Sequence, residues 1–455
     1  MMNNCLSEYF RLADDVLGEV ESSPLSGDAG FFRFGGDLIC YGQCSSGVAL
    51  HLDGSLNHDS SQEIKLTGEG LALPFQFSDV VDNLRREHYE QSLVPSRERL
   101  VSHELVRKTY YFVRGLLPVS VRRHLQKVYF SDWRTRSFPA WPVDFTVDKL
   151  HAELLRILMQ ASGQNRIPFI WFWPEGAPSC LIMTHDVETA AGRDFTPQLM
   201  DLDDSYGIKA SFQVIPEQRY KVPDEYVQAI RTRGFEFNIH DLNHDGHLYR
   251  ERIEFLKRAA RINEYFRRYQ ARGFRAGAMY RNPDWYDAFE FSYDMSVPNV
   301  AHLEPKRGGC CTVMPFFIGN ILELPLTATQ DYSLFHILND YSIDLWKKQL
   351  GLIRENHGLM SFIAHPDYLI AGKNRAVYES LLDYLQKMVA SEGVWNPLPG
   401  EVDLWWRARR EMKLVPRENG WKVQGPGAER ARIAYAVLED GRLRFEVEGN
   451  RVRSS

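Results

Sequence analysis

The stretch Cys180-Leu-Ile-Met-Thr-His-Asp-Val-Glu188 decides how this chain is read. An apolar run leads straight into two carboxylates, Asp186 and Glu188. Successive side chains on a strand alternate faces, so residues two apart point the same way. A buried strand over Leu181–Thr184 therefore delivers both acids to one spot at its C-terminal end. Open α/β sheets and βα barrels place their chemistry there.

The rhythm set by this strand continues downstream. Further strands are predicted at Ala210–Ile215, Phe235–Ile239, Phe274–Ala276, Phe289–Tyr293, Ile321–Leu326 and Leu359–Ala364. Helical patterns fill the gaps, at Pro197–Tyr206, Asp224–Arg233, Arg250–Arg272, Ser342–Asn356 and Asn374–Glu392. Gly234, Gly273 and Gly358 stand where helix C-caps are expected. Strands alternating with helices imply a parallel sheet in an α/β layered or barrel fold.

Outside this region the pattern differs. Phe31–Tyr41 and Gly47–Gly54 are strand-like runs between Gly/Ser turns, and the Arg-rich stretch from 81 to about 135 is helical in character, with a solvated face as the plainer explanation of its charge. Thr146–Asp148 is expected to cap a helix carrying Leu150, Leu154, Ile157 and Leu158 on one face. After a helix over Asp403–Arg410, two alternating runs flank Glu439-Asp-Gly-Arg442, a hairpin turn signal. The division expected is residues 1–177 as an α+β extension, 178–400 as the α/β unit and 401–455 as a helix and small β unit.

Bulk composition excludes several classes. The 455 residues carry a formal net charge of −6, with 44% hydrophobic and 25% charged residues. That describes a globular protein with a core, not a nucleic-acid-binding surface. No run approaches the roughly 18 apolar residues of a membrane span. The first ten residues lack the basic and apolar regions of a signal peptide, so the cytoplasm is the expected location. The six cysteines are too few and too irregular for a disulfide scaffold; Cys40 and Cys44 lack a second pair that would complete a zinc finger.

Five pieces of the α/β region carry chemistry. Thr184–Glu188 holds the acid pair. Asn238–His247 contains His240 and His244, four apart, a spacing that on a helical turn puts both rings on one metal. With Glu188 they make three protein ligands and leave an open position, the arrangement of a catalytic metal, with Asp186 beside it. Arg275, Asp331 and His365 follow at later strand ends. Each alone has a plainer explanation: a chance His-x-x-x-His, a structural ion pair, a satisfied core histidine. His247 is the reserve ligand. Order and context distinguish the set.

That order resembles the polysaccharide deacetylase superfamily, the NodB-homology fold of metal-dependent N-deacetylases, over about residues 178–400. The resemblance implies a distorted (β/α) barrel and a divalent metal, zinc first among the candidates, held by Glu188, His240 and His244. It implies Asp186 as base, Arg275 as its partner, His365 as general acid and Asp331 as the carboxylate that tunes it. It implies removal of an N-acetyl group from an amino-sugar glycan or its precursor. Two positions depart from the usual pattern: Val187 separates the two acids, and Gly277 stands where proline is usual, two residues after the arginine. Tyr280 and Trp285, which follow Arg275, are the candidate sugar-stacking rings; Tyr286, Tyr332 and Tyr368 are further aromatics near the motifs. Hydrolysis of another non-peptide C–N bond, or glycan binding without turnover, are the alternative functions.

Overall fold

The computed structural model describes residues 4–13, 18–25, 27–52, 59–67, 70–93, 130, 132–418 and 420–449. Most of the Arg-rich stretch expected to be helical, 94–129, lies outside these residues.

Eight strands form the central sheet: β1 (Cys180–Val187), β2 (Ala210–Val214), β3 (Glu236–His240), β4 (Gly273–Arg275), β5 (Tyr293–Asp294), β6 (Phe316–Ile318), β7 (Ile321–Glu323) and β8 (Leu359–Ala364). Their spatial order is β6-β7-β5-β4-β3-β2-β1-β8. All neighbours run parallel except the β6/β7 pair. All eight residues of β1 are buried, as expected of a central strand covered on both faces. The sheet curls back on itself. Beyond β7, the Ala328 amide donates to the Ser361 carbonyl of β8 (3.1 Å), and the Ser361 amide donates to Thr327 Oγ1 (2.9 Å). The result is a distorted (β/α) barrel.

Helices α1 (Ala190–Ser205), α2 (Asp224–Thr232), α3 (Arg252–Tyr269), α4 (Asp344–Glu355) and α5 (Gly372–Glu392) connect or follow the strands. Val187, Val214, Ile239 and Phe274 are in register across β1–β4 and belong to one apolar cluster with residues of these helices. Alternation then turns Asp186, His240 and Arg275 to the opposite face, toward the barrel interior.

Two local expectations are corrected. The strand expected at Phe289–Tyr293 shrinks to Tyr293–Asp294, because Phe289 and Phe291 leave the ladder to pack on Phe274 at 5.2 and 5.0 Å between ring centroids. Gly234 does follow α2 in a left-handed conformation (φ +75°), and the Gly358 amide closes α4 by donating to the Ile353 carbonyl (3.0 Å) while His357 takes the left-handed position, but Gly273 is not a cap. Gly273 lies within β4 where the Tyr293 ring occupies the space of a side chain, and Gly358 is pressed against Val313.

The flanks are stitched together. Strand Arg166–Ile170 pairs with Ile433–Glu439, which pairs in turn with Arg442–Val447 across a turn whose Asp440 and Gly441 are both left-handed. The buried Arg409, from helix Pro399–Glu411, donates to the carbonyls of Tyr9, Ile170 and Trp171 at 2.8–3.0 Å. Asp148 does not cap helix Thr146–Ser162, whose N-cap is Phe145. It is buried and accepts from Tyr9, Thr312 and the Val313 amide, tying the flank to the barrel; burial pushes its carboxyl up to about 6 against these bonds. Phe31–Tyr41 is a hairpin, Gly30–Phe34 with Leu38–Gly42, and from the expected strand Gly47–Gly54 Ala49 bridges to its Phe31. Cys40, Cys44, Cys180, Cys310 and Cys311 are all buried and free of disulfides.

Candidate metal centre

The site assembles at the C-terminal ends of β1, β3, β4 and β8. Asp186 is the penultimate residue of β1, and Glu188 follows the strand directly. His240 ends β3. His244 is not on a helix: the chain turns through left-handed Asp241 (φ +56°) and His244 (φ +55°) in a loop. Arg219 holds that loop, donating to the carbonyls of Asn243 (3.2 Å) and His244 (2.6 Å). The two imidazoles end 4.8 Å apart between centroids, as the four-residue spacing required, by another backbone route.

One atom lies at the centre. Glu188 Oε1 is 3.8 Å from His240 Nε2, 2.9 Å from His244 Nε2 and 3.5 Å from His365 Nε2. The tautomer of His240 follows from its other nitrogen. Nδ1 lies 3.1 Å from the Arg275 carbonyl, which can only accept, so Nδ1 carries the proton and Nε2 presents a lone pair. His240 Nε2 and His244 Nε2 are buried and face Glu188 Oε1, but neither is aligned to hydrogen-bond it. Two orphaned ring nitrogens and a carboxylate oxygen, mutually within 4.8 Å, fit a first-row divalent cation, with the Arg275 carbonyl as the outer partner that fixes His240. Burial opposes charge on Glu188, but His244, His240 and His365 together hold its carboxyl well below the usual range.

Two further pairs flank this centre. Asp186 Oδ2 is 3.8 Å from His240 Nε2, while its Oδ1 is 3.4 Å from Arg275 Nη1, a guanidinium with no solvent exposure. The second pair is His365 with Asp331: Nδ1 is 2.6 Å from Asp331 Oδ1, and the His365 amide donates to Asp331 Oδ2 at 2.7 Å. The double attachment sets the ring with Nε2 facing Glu188. Burial alone pushes the His365 imidazole down, but Asp331 and Glu188 outweigh it and raise it well above its ordinary value. The structure thus brings together Glu188, His240, His244, Asp186, Arg275, His365 and Asp331.

The aromatic candidates separate. Tyr280 is half-buried just beyond left-handed Ala278 and Met279. Trp285 packs outside the barrel against Phe255 (5.1 Å), with the Arg252 guanidinium over its ring. Tyr286 is buried, its hydroxyl donating to Asp294. The ring beside His365 is Tyr368, at 4.8 Å, with Tyr332 and His336 next to it. His247 is half-buried and pairs loosely with Asp245; it does not belong to the ligand group.

Two residues near the site have no counterpart in the sequence reading. Arg281 is buried and salt-bridged to Glu87, 194 residues away. Nothing in spacing or composition signals such a pair; only the closeness of Arg281 to Arg275 in sequence points to it.

No family model and no curated protein matches this chain. Solved structures do. A structure assigned as a polysaccharide deacetylase of Mycobacterium smegmatis is 18% identical over 55% of this chain and 97% of that one, with a TM-score of 0.44. Peptidoglycan deacetylase PdaC from Bacillus subtilis is 12% identical, covering 50% of this chain and 90% of that one, with a TM-score of 0.32. A CE4 family pseudoenzyme from Bacillus anthracis is 12% identical, covering 50% and 65%, with a TM-score of 0.30. The solved structures to which this chain is similar thus include polysaccharide deacetylases and a pseudoenzyme of the CE4 family.

Proposed function

We propose that this chain is a metal-dependent hydrolase that removes an N-acetyl group from an amino-sugar-containing glycan or glycan precursor. The observation that carries the proposal is the convergence of three metal-type donors between two oppositely wired groups, Asp186 beside Arg275 and His365 beside Asp331. A divalent ion, zinc being the first candidate, would be held by Glu188, His240 and His244 and would supply Lewis acidity toward an acyl oxygen and a water.

The residues divide the proton transfers. Asp186, paired with Arg275, faces the ligand centre and takes the proton of the attacking water. His365, held protonated by Asp331, gives a proton to the departing amine. The half-exposed Ala278, in its left-handed conformation, sits in the loop beyond Arg275 where a backbone donor to the developing oxyanion belongs. Acetate and a free amino sugar result. A base and an acid gathered beside one set of metal-type donors suit amide hydrolysis better than glycan binding alone, which needs neither.

The test is metal analysis of the purified protein together with acetate release from a panel of N-acetylhexosamine glycans. His240→Ala is expected to lose metal and turnover together; full retention of both would falsify the ligand assignment.

A further inference from the structure

Three consecutive residues of the N-terminal region, Arg86 to His88, grip the loop that follows Arg275, and Tyr89 beside them reaches the segment at Gly309. Arg86 Nη1 donates to Asp284 Oδ1 (3.2 Å), and His88 Nε2 lies 3.1 Å from Asp284 Oδ2. The Tyr89 hydroxyl donates to the Gly309 carbonyl (2.6 Å). Between them Glu87 forms a two-point ion pair with Arg281: Nε donates to Oε2 at 2.8 Å and Nη2 to Oε1. Neither side chain has any solvent exposure. Lys306 Nζ supports both partners, 3.6 Å from Glu87 Oε2 and donating to the Arg281 carbonyl at 2.9 Å. Glu87 is left-handed (φ +63°), a conformation a glutamate keeps only where its surroundings impose it.

Arg281 passes this grip to the metal centre. Its Nη1 donates to the Met279 carbonyl at 2.8 Å, so one guanidinium joins Glu87 to the inside of the loop. Within that loop Ala278 and Met279 are both left-handed (φ +52° and +54°), a shape that two non-glycine residues do not hold unaided. The next contact is Gly277, which lies so close to Asp241 and the His244 ring that a Cβ there would come within 3.0 Å of His244 Cδ2.

We propose that Glu87 is a positioning residue of the metal centre: through Arg281 it holds the loop Ala276–Tyr280 against His244 and so fixes where that ligand stands. The N-terminal region is then a working part of the site, not an appendage to the barrel. The inference rests on the reading that Glu188, His240 and His244 bind a metal.

The test uses the full chain stripped of metal and titrated with cobalt(II). Affinity is measured against a competing chelator, and the visible absorption bands report ligand geometry. Glu87→Gln is expected to weaken cobalt binding about 10–100-fold, as loss of outer support does at other metal sites, and to shift the bands. Because that variant leaves Arg281 buried and unpaired, the double variant Glu87→Leu/Arg281→Met is measured beside it. Replacing a buried ion pair by apolar groups of similar volume is often neutral for stability. It is expected to melt near the wild type yet show the same loss of cobalt affinity. A folded double variant with wild-type affinity and bands overturns the proposal. If the double variant does not fold, Glu87→Asp decides, since it keeps the charge and loses one methylene of reach: an intermediate loss supports the proposal, and no change overturns it. A wild-type chain that binds no cobalt is a different result, which removes the metal reading itself.

Discussion

Gly277→Ala is the sharpest perturbation of the site. Gly277 has an ordinary backbone conformation, so alanine brings no torsional penalty; only the added methyl matters. That methyl would overlap Asp241 Oδ2, lie 3.3 Å from Asp241 Cγ and 3.0 Å from His244 Cδ2. Carbon atoms settle at about 3.5–4.0 Å, so either the loop or the Asp241–His244 segment must give by roughly 0.5–1 Å. The loop is held by Arg281, and the segment by Arg219, so neither side moves freely. A displacement near 1 Å costs catalysis on the order of 10²-fold, and a disturbed metal support costs about 10–100-fold in affinity. The assay is metal affinity by chelator competition, followed by acetate release at saturating metal. Affinity should fall first, and added metal should restore only part of the turnover. Gly277→Ala with wild-type affinity and turnover would refute the reasoning, because it would mean that the loop yields without moving His244. The same geometry accounts for glycine where the related pattern has proline: no ring fits against Asp241 here.

Three further outcomes are expected. Asp186→Asn should lower turnover by about 10²–10⁴ while leaving metal content intact, because Asp186 is 3.8 Å from His240 Nε2 but outside the ligand group; metal analysis beside acetate release checks it. Asp331→Asn removes a carboxylate that raises the His365 imidazole, so the alkaline limb of the kcat/KM profile should move to lower pH. Glu236 lies at the start of β3, where burial pushes its carboxyl from 4.5 to about 7. A carboxyl raised on folding gives stability that is full below the unfolded value and is lost as pH rises toward the folded one. The contribution should therefore fall between about pH 4.5 and 7, by on the order of 3 kcal/mol. Urea unfolding of Glu236→Gln across that range should lack this component.

The parts of the fold legible in the sequence were those governed by local periodicity. β1 and β8 read directly because both are buried apolar runs, and α2 read directly because Gly234 ends it. The Asp186/Glu188 pair was legible for the same reason: a period of two survives one residue past the strand. Tertiary packing decided what was not legible. Phe289 and Phe291 look like strand residues but stack on Phe274. Trp285 sits in sequence beside the motif of Arg275 yet finds its partners on α3. The Glu87–Arg281 pair joins distant segments through charge alone, which no window of sequence reveals.

The sheet shared by the flanks bears on how this protein is made. Ile170 pairs with Ile433, so the edge of Arg166–Ile170 is translated long before its partner. At about 5–20 residues per second the interval is on the order of 15–50 s. Through that time a strand edge rich in Ile and Phe stands open to the wrong neighbour. Pro168, in the middle of the strand, leaves the far edge, where Ile170 donates to the Arg11 carbonyl, one backbone donor short. In the finished molecule its ladder with Ile433–Glu439 stays complete; on the ribosome the far edge of the strand offers a second nascent copy one donor fewer.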